Sequence, residues 1–138
     1  MSDWNANIIE EFRANEGRVG GMFEGMPLLL LHSTGRRSGT ERVNPLAYLL
    51  DGERWAVFGT KGGHIAHPHW IHNLEADPNV TIEVGTETIP VKATVLRGGP
   101  ERDELYARQV AAHPQFGEYE TKTKGHRTIP VIVLERAG

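Results

Sequence analysis

Apolar positions recur along this chain at two periods, and the switches between them mark its elements. Trp4, Ile8 and Phe12 fall at i, i+4 and i+8 with Ile9 beside them, which predicts an amphipathic helix over residues 3–15. Asp3 is its expected N-cap and Gly17 its stop. After Gly20-Gly21 the run Leu28 to His32 reads as a buried strand, and 33–40 as a turn-rich loop without periodicity. Val43 to Leu50 is almost continuously apolar and ends at Asp51-Gly52, the strongest hairpin signal in the chain, with Trp55 to Gly59 as the return strand. Lys61-Gly62-Gly63 leads to a short helix from about Pro68 to Glu75, which Asp77-Pro78-Asn79 ends. Val80, Ile82 and Val84 alternate as a strand, and Thr88 to Leu96 returns, with Pro90 suggesting an edge or a bulge. Gly98-Gly99-Pro100 opens a helix to about Ala112, Pro114 is a break, and Thr128 to Leu134 is a final strand.

Six short strands joined mainly by hairpins, with helices at the periphery, predict an α+β fold built on a mostly antiparallel sheet closed or half-closed into a barrel. A doubly wound parallel sheet needs strands alternating with helices, which residues 43–59 deny. Length limits the chain to one core: 138 residues suit a barrel over residues 26–138 preceded by a helix and connector over 1–25. A net charge of −3 argues against general nucleic-acid binding. With no cysteine, disulfides, thiolate metal sites and a cysteine nucleophile are excluded. The first residues lack a signal peptide's basic region, and the run Met26 to Leu31 is far too short to span a bilayer. A soluble, cytoplasmic protein is expected.

Five stretches could carry chemistry. Gly35-Arg36-Arg37-Ser38-Gly39-Thr40-Glu41-Arg42 combines glycines, guanidinium forks and hydroxyls, a set suited to a phosphate or carboxylate-rich tail. It is not a P-loop, and a solvated hairpin loop is the plainer reading. Thr60-Lys61-Gly62-Gly63, ahead of a helix, can present amides to an anion or to the oxygens of a flat ring, or be a simple turn. His64, His67, His69 and His72 invite a zinc reading. His67 and His69 straddle the helix start and no carboxylate completes the set, so no metal is assigned. In the helix, Trp70 and Leu74 face the core, whereas Asn73 is a mid-helix amide that needs a partner. Lys122 to Arg127 reads as a solvated basic loop that could help hold an acidic tail, and His113, Phe116 and Tyr119, three apart, either line a pocket or pack a short helix. No nucleophile stands out, which fits chemistry carried by a cofactor and equally fits a binding module.

In this order, the pieces resemble the deazaflavin-dependent nitroreductase family of the split β-barrel flavin/deazaflavin oxidoreductases. The resemblance rests on Leu31 to Gly39 with Arg42 and Pro45-Leu46, on Lys61-Gly62-Gly63 with Pro68, Trp70, Asn73-Leu74, Ala76 and Pro78, and on Arg127 to Val131. It implies a split β-barrel that binds coenzyme F420, a deazaflavin with a phosphate and an oligoglutamate tail. Arg36, Arg37, Ser38 and Arg42, with Pro45 in the same stretch, would match the phosphate and tail loop. Lys61, Gly62 and Gly63 would run beside the deazaflavin, with Trp70 and Asn73 completing that site. The implied reaction is hydride transfer from C5 of the reduced coenzyme to a quinone, an enone or lactone, or a nitroaromatic, with Tyr119 or His113 as hydrogen-bond or proton donor. Nitroreductases of the family carry several tyrosines before the last strand, where this chain has Tyr119 alone; the difference bears on nitroaromatic acceptors and not on coenzyme binding. An FMN-binding barrel enzyme, a non-catalytic coenzyme carrier and a zinc-binding module are the alternatives. Peripheral contact of the N-terminal helix with the inner face of the membrane, and a monomer or homodimer, are left open.

Overall fold

The computed structural model describes residues 2–20, 26–35, 39–60 and 68–137, the side chains of 2–5 and 69 excepted. It contains helix α1 (Ser2–Ala14), strands β1 (Leu28–Thr34), β2 (Glu41–Asp51) and β3 (Arg54–Phe58), helix α2 (His69–Ala76), strands β4 (Asn79–Val84) and β5 (Glu87–Leu96), helices α3 (Pro100–Ala112) and α4 (Gln115–Thr123), and strand β6 (Val131–Arg136). The six strands close into an antiparallel barrel in the order β1-β2-β3-β6-β5-β4.

Side-chain alternation explains why some strands read as apolar runs and others as alternating patterns. Leu29 and Leu31 of β1 point into the barrel with Trp55, Val57, Ile82, Ile89, Val91, Ile132 and Leu134. Leu28 and Leu30 point outward, where Phe12 of α1 and Val19 cover them. Ala56 and Phe58 of β3 and Val131 and Val133 of β6 also point outward, under Leu105 and Tyr106 of α3 and Phe116 of α4. Strands covered on both faces lose their polar positions. β5, bare outside, keeps the alternation of buried Ile89, Val91 and Ala93 with exposed Pro90, Lys92 and Thr94. At about 25 cal/mol per Å² of apolar surface, these three clusters are the main stabilising contribution.

Several boundaries differ from the sequence expectation for identifiable reasons. The Asp51-Gly52 signal marks a real hairpin, but Asp51 pairs with Arg54 as the last strand residue, so Gly52 and Glu53 form the turn. Gly52 has φ 64, the positive value a two-residue turn needs at its first central position. Asp51 is held instead by Arg54 and by Arg108 of α3, at 2.9 Å. Pro90 lies in a closed barrel with no open edge; it falls where β6 runs out, and its carbonyl accepts from Ala137 N–H. β6 begins at Val131 rather than Thr128 because Ile129 and Pro130 turn their carbonyls to Arg102 and Gly59. Helix α1 starts at Ser2, which places Asp3 inside its first turn rather than at the cap. At its other end Gly17 N–H bonds back to Phe12 O at 2.7 Å, with Glu16 (φ 57) left-handed, which is a Schellman stop.

Candidate functional site

The pairing registers bring distant segments to one end of the barrel. β2 runs antiparallel to both neighbours, so the end of β1 at Thr34, the start of β2 at Glu41 and the end of β3 at Phe58 share a rim. Val131 pairs with Phe58 and with Leu96, and His32 with Thr81, so the starts of β6 and β4 and the end of β5 lie there as well. Helix α2 caps this rim, sending Trp70, Ile71 and Leu74 into the barrel cluster. The opposite end carries the two tight hairpins, at 51–54 and 84–87.

The two glycine-rich segments therefore leave from the same rim. The neck of the first is pinched by Gly35 N–H to Thr40 O (2.8 Å) and Gly39 N–H to Gly35 O (2.8 Å), with Gly39 at φ 72. Arg36, Arg37 and Ser38 lie between these bonds in sequence, outside the described residues, as do Lys61, Gly62 and Gly63. Arg42 is exposed and pairs across from Ser33, in phase along β2 with Leu46 and Tyr48, which pack on the barrel core. It thus projects from the interior-facing side of β2 at the rim. Ser33, only 2% exposed, meets Asn73 of α2, 8% exposed, whose Nδ2 donates to Ser33 Oγ at 3.5 Å. That contact is one partner for the mid-helix amide, and it ties the strand entering the first segment to the helix leaving the second.

Two residues expected at the coenzyme site lie in the body of the barrel. Trp70 is 6% exposed within the barrel cluster, so its ring anchors α2. Pro45 sits opposite Leu30 on the other face of β2 from Arg42, between Val43 and Ala47, which pack under α1. Proline is tolerated there because pairing to β3 begins only at Tyr48.

The His113, Phe116 and Tyr119 spacing becomes a packed ladder along the end of α3 and along α4. Ring centroids are 6.4 Å apart for His113 and Phe116 and 5.3 Å for Phe116 and Tyr119. Phe116 is buried edge-on against Phe58 and Tyr106, whereas His113 and Tyr119 flank it half-buried. Tyr106 gives its hydroxyl to Phe116 O at 2.7 Å, and burial, helped by Glu120, pushes its phenol well above the usual range, so it stays a neutral donor. A cleft of about 550 Å³ opens beside α4, lined by Arg102, Glu120, Thr123, Lys124, Arg127 and Ile129. Its ion-paired walls are unlike the apolar lining of a quinone-sized pocket.

Two residues were missed as partners of the rim. Ser33 reads in the sequence as the first residue of the 33–40 loop, whereas β1 continues through it to Thr34 and buries it. Arg127 was grouped with a solvated basic loop, yet its Nη1 donates to Gly59 O (2.9 Å) and its Nη2 to Thr60 O (3.0 Å). Burial lowers its pKa, and an arginine so held remains a cation. Of the histidines, His64 and His67 lie outside the described residues, and His72 sits 3.8 Å from Glu75. Among the described residues no group of three potential metal ligands is assembled.

An antiparallel six-stranded barrel with a helix across one rim, and cation-bearing glycine segments entering that rim, is the architecture of the small split-barrel oxidoreductases. Comparison with known proteins makes this specific: the sequence pattern of the F420H(2)-dependent quinone reductases matches residues 4–136, and the chain belongs to that family. An F420H(2)-dependent quinone reductase of Mycobacterium tuberculosis is 36% identical over 129 residues, covering 91% of this chain and 85% of that one. A solved F420-H2 dependent reductase, FDR-A, superposes with a TM-score of 0.71 at 36% identity over 79% of this chain and 94% of that one. A second structure, described as a domain-swapped dimer, matches with a TM-score of 0.72 at 33% identity over 97% and 98% of the two chains. The haem storage protein HutZ of Vibrio cholerae, 19% identical with a TM-score of 0.59 over 97% of this chain and 91% of that one, shares the fold alone.

Proposed function

We propose that this chain is a reductase that takes a hydride from reduced coenzyme F420 and delivers it to a quinone-class acceptor. The observation that carries the reading is the shared rim: in a chain of this family, both glycine-rich segments, Arg42 and Asn73 converge on one end of the barrel. The residues there suit the coenzyme, since exposed Arg42 follows in sequence two arginines and a serine that lie between the hydrogen-bonded ends of the first segment.

When bound, the coenzyme supplies the hydride from C5, and a proton completes the two-electron reduction of the acceptor. Arg36, Arg37, Ser38 and Arg42 hold the phosphate and tail carboxylates by charge-assisted hydrogen bonds. Lys61, Gly62 and Gly63 would offer backbone amides to the deazaflavin's oxygens, with Asn73 fixing α2 to β1 through Ser33. Tyr119, with His113 as the alternative, donates to the acceptor oxygen as charge develops, an interaction worth about 3 kcal/mol of barrier where such a donor is removed.

Residues 26–138 carry this site, and α1 within 1–25 packs on its outside. Of the α1 stripe, Phe12 is 1% exposed and Ile8 and Ile9 pack beside it on the barrel, which supports action without lipid contact through these three residues. No helix among the described residues is long and apolar enough to cross a membrane. The relative that is a domain-swapped dimer supports a homodimer here.

The test is an anaerobic titration with reduced F420 followed by a soluble naphthoquinone. Micromolar binding and enzyme-dependent return of the oxidised chromophore are expected. Arg36→Ala with Arg37→Ala should weaken binding and flatten its salt dependence with the fold intact. A wild-type chain that binds no coenzyme at micromolar concentration refutes the assignment.

A further inference from the structure

Beside α1, the outer face of the barrel gathers titratable side chains from four elements. Leu31 points into the barrel, so His32 of β1 faces outward, its side chain 16% exposed. Its Nε2 lies 2.5 Å from Glu83 Oε2 of β4, and its Nδ1 lies 3.4 Å from Glu41 Oε2 of β2. Arg13, in the last turn of α1, donates from Nη2 to the same Glu83 oxygen at 2.6 Å and from Nε to Oε1 at 3.1 Å. It also feels the charge of Glu41. Arg13, Glu41 and Glu83 are the charged groups that face His32 among the described residues. Glu83 remains a carboxylate where histidine titrates, its carboxyl held below the ordinary range chiefly by the hydrogen bond from Arg13.

One carboxylate oxygen therefore serves two donors, which puts the guanidinium and the imidazole within about 5 Å of each other. A neutral imidazole can donate from Nε2 to Glu83 with the guanidinium in place. An imidazolium there meets a second cation on the same oxygen, and the two repel. With Arg13 withdrawn, the imidazolium has Glu83 on one nitrogen and Glu41 on the other. Two carboxylates and one cation stand on the barrel in either state. We propose that protonation of His32 loosens α1: the proton and the Arg13 guanidinium compete for Glu83, so the helix is clasped at neutral and alkaline pH and opens more readily in mild acid. The open state binds the proton better, so the open fraction rises as pH falls through the histidine range. Opening uncovers the outer face of β1 and β2, where Ile8, Ile9 and Phe12 pack with Leu28, Leu30, Val43 and Ala47.

The experiment is native-state hydrogen exchange of the α1 amides, corrected for intrinsic rate, at about pH 5.5 and about pH 8, either side of the histidine range. The amides of β6 serve as the internal reference. In the wild type the open fraction of α1 should be roughly three- to tenfold higher at the acid pH. His32→Gln keeps a neutral donor toward Glu83 and has no proton to gain, so its change should be less than threefold. Arg13→Met removes the competitor and should lose the pH effect in the same way. Should His32→Gln not fold, Arg13→Met, a change at a half-exposed side chain, carries the comparison with the histidine intact. Should α1 open only with the whole barrel, the contrast between wild type and variants is read from global unfolding in urea at the same two pH values. A wild-type change of less than threefold, one in the opposite direction, or one that survives in either variant overturns the proposal.

Discussion

Replacing Arg102 with methionine tests how the helical layer is attached to the barrel. Its side chain is 6% exposed, and Nε donates to Ile129 O at 2.9 Å, where the chain approaches β6. Nη1 lies 3.1 Å from Asp103 and 3.2 Å from Glu120, and the guanidinium sits 4.6 Å over the Tyr106 ring. Methionine keeps the stem and removes every polar contact. Stranding the buried Ile129 carbonyl costs about 1–3 kcal/mol. Losing the cation–π contact adds roughly 0.5–2 kcal/mol. The carboxylates are 70% and 47% exposed and return to water, so these pairs are worth about 0–1 kcal/mol each. Relief from burying a cation offsets part of the sum, leaving about 2–4 kcal/mol of destabilisation. Urea unfolding followed by tryptophan fluorescence measures it, because Trp55 and Trp70 both lie in the barrel cluster. The midpoint should fall with the slope unchanged, and a cycle with Glu120→Gln should give a coupling of about 1 kcal/mol or less. A loss below about 0.5 kcal/mol would refute the reasoning, since the guanidinium's desolvation would then cancel its contacts.

Three further outcomes follow from single features. Gly17→Ala places a Cβ 2.8 Å from Gly85 Cα at φ 95, so a loss of roughly 2 kcal/mol and faster proteolysis of α1 are expected; unchanged stability would mean that this close approach does not exist. The hydrogen bond from Arg13, with a second from His32, holds the Glu83 carboxyl below its ordinary range. A depressed folded pKa gives stability that is complete above the unfolded value and is lost as pH falls through the folded one, so the deficit of Glu83→Gln, about 1 kcal/mol near neutrality, should shrink as pH falls below the ordinary carboxylate range; a deficit independent of pH contradicts it. Gln109 is 1% exposed and its side-chain nitrogen and oxygen have no partner among the described residues, so Gln109→Met should stabilise by about 1–3 kcal/mol in the same urea assay, and a loss would show that the amide is satisfied.

The strands were legible because each buries at least one face, and period two survives wherever the outer face meets water, as in β5. Helix α4 was only half legible: its i, i+3 aromatic series fitted a pocket or a packed helix, and the deciding fact, that Phe58 and Tyr106 wait beneath Phe116, is tertiary. The Asp51-Gly52 pair located a hairpin but misplaced its turn by one residue, because cations from β3 and α3 reward Asp51 for staying in the strand. Trp70 packs in the core as its helical phase with Leu74 indicates.

For the site, parity of reversal is the link between sequence and function. Two successive antiparallel turns of the chain return β3 to the end from which β1 departed, so the segments at 35–40 and 59–68 had to share a rim once the hairpin at 51–54 was recognised. Each segment alone reads more plainly as a turn than as an anion site, and sharing a rim follows from the alternation of antiparallel strands, so their meeting places the two segments together without deciding between those readings. The same logic shows why Arg127 escaped notice. Its acceptors are carbonyls of Gly59 and Thr60, present at every residue of any sequence, so no spacing or composition can mark them. Side chains that bond to backbone become visible only when the β3–β6 register shows which carbonyls lie beyond the last pair.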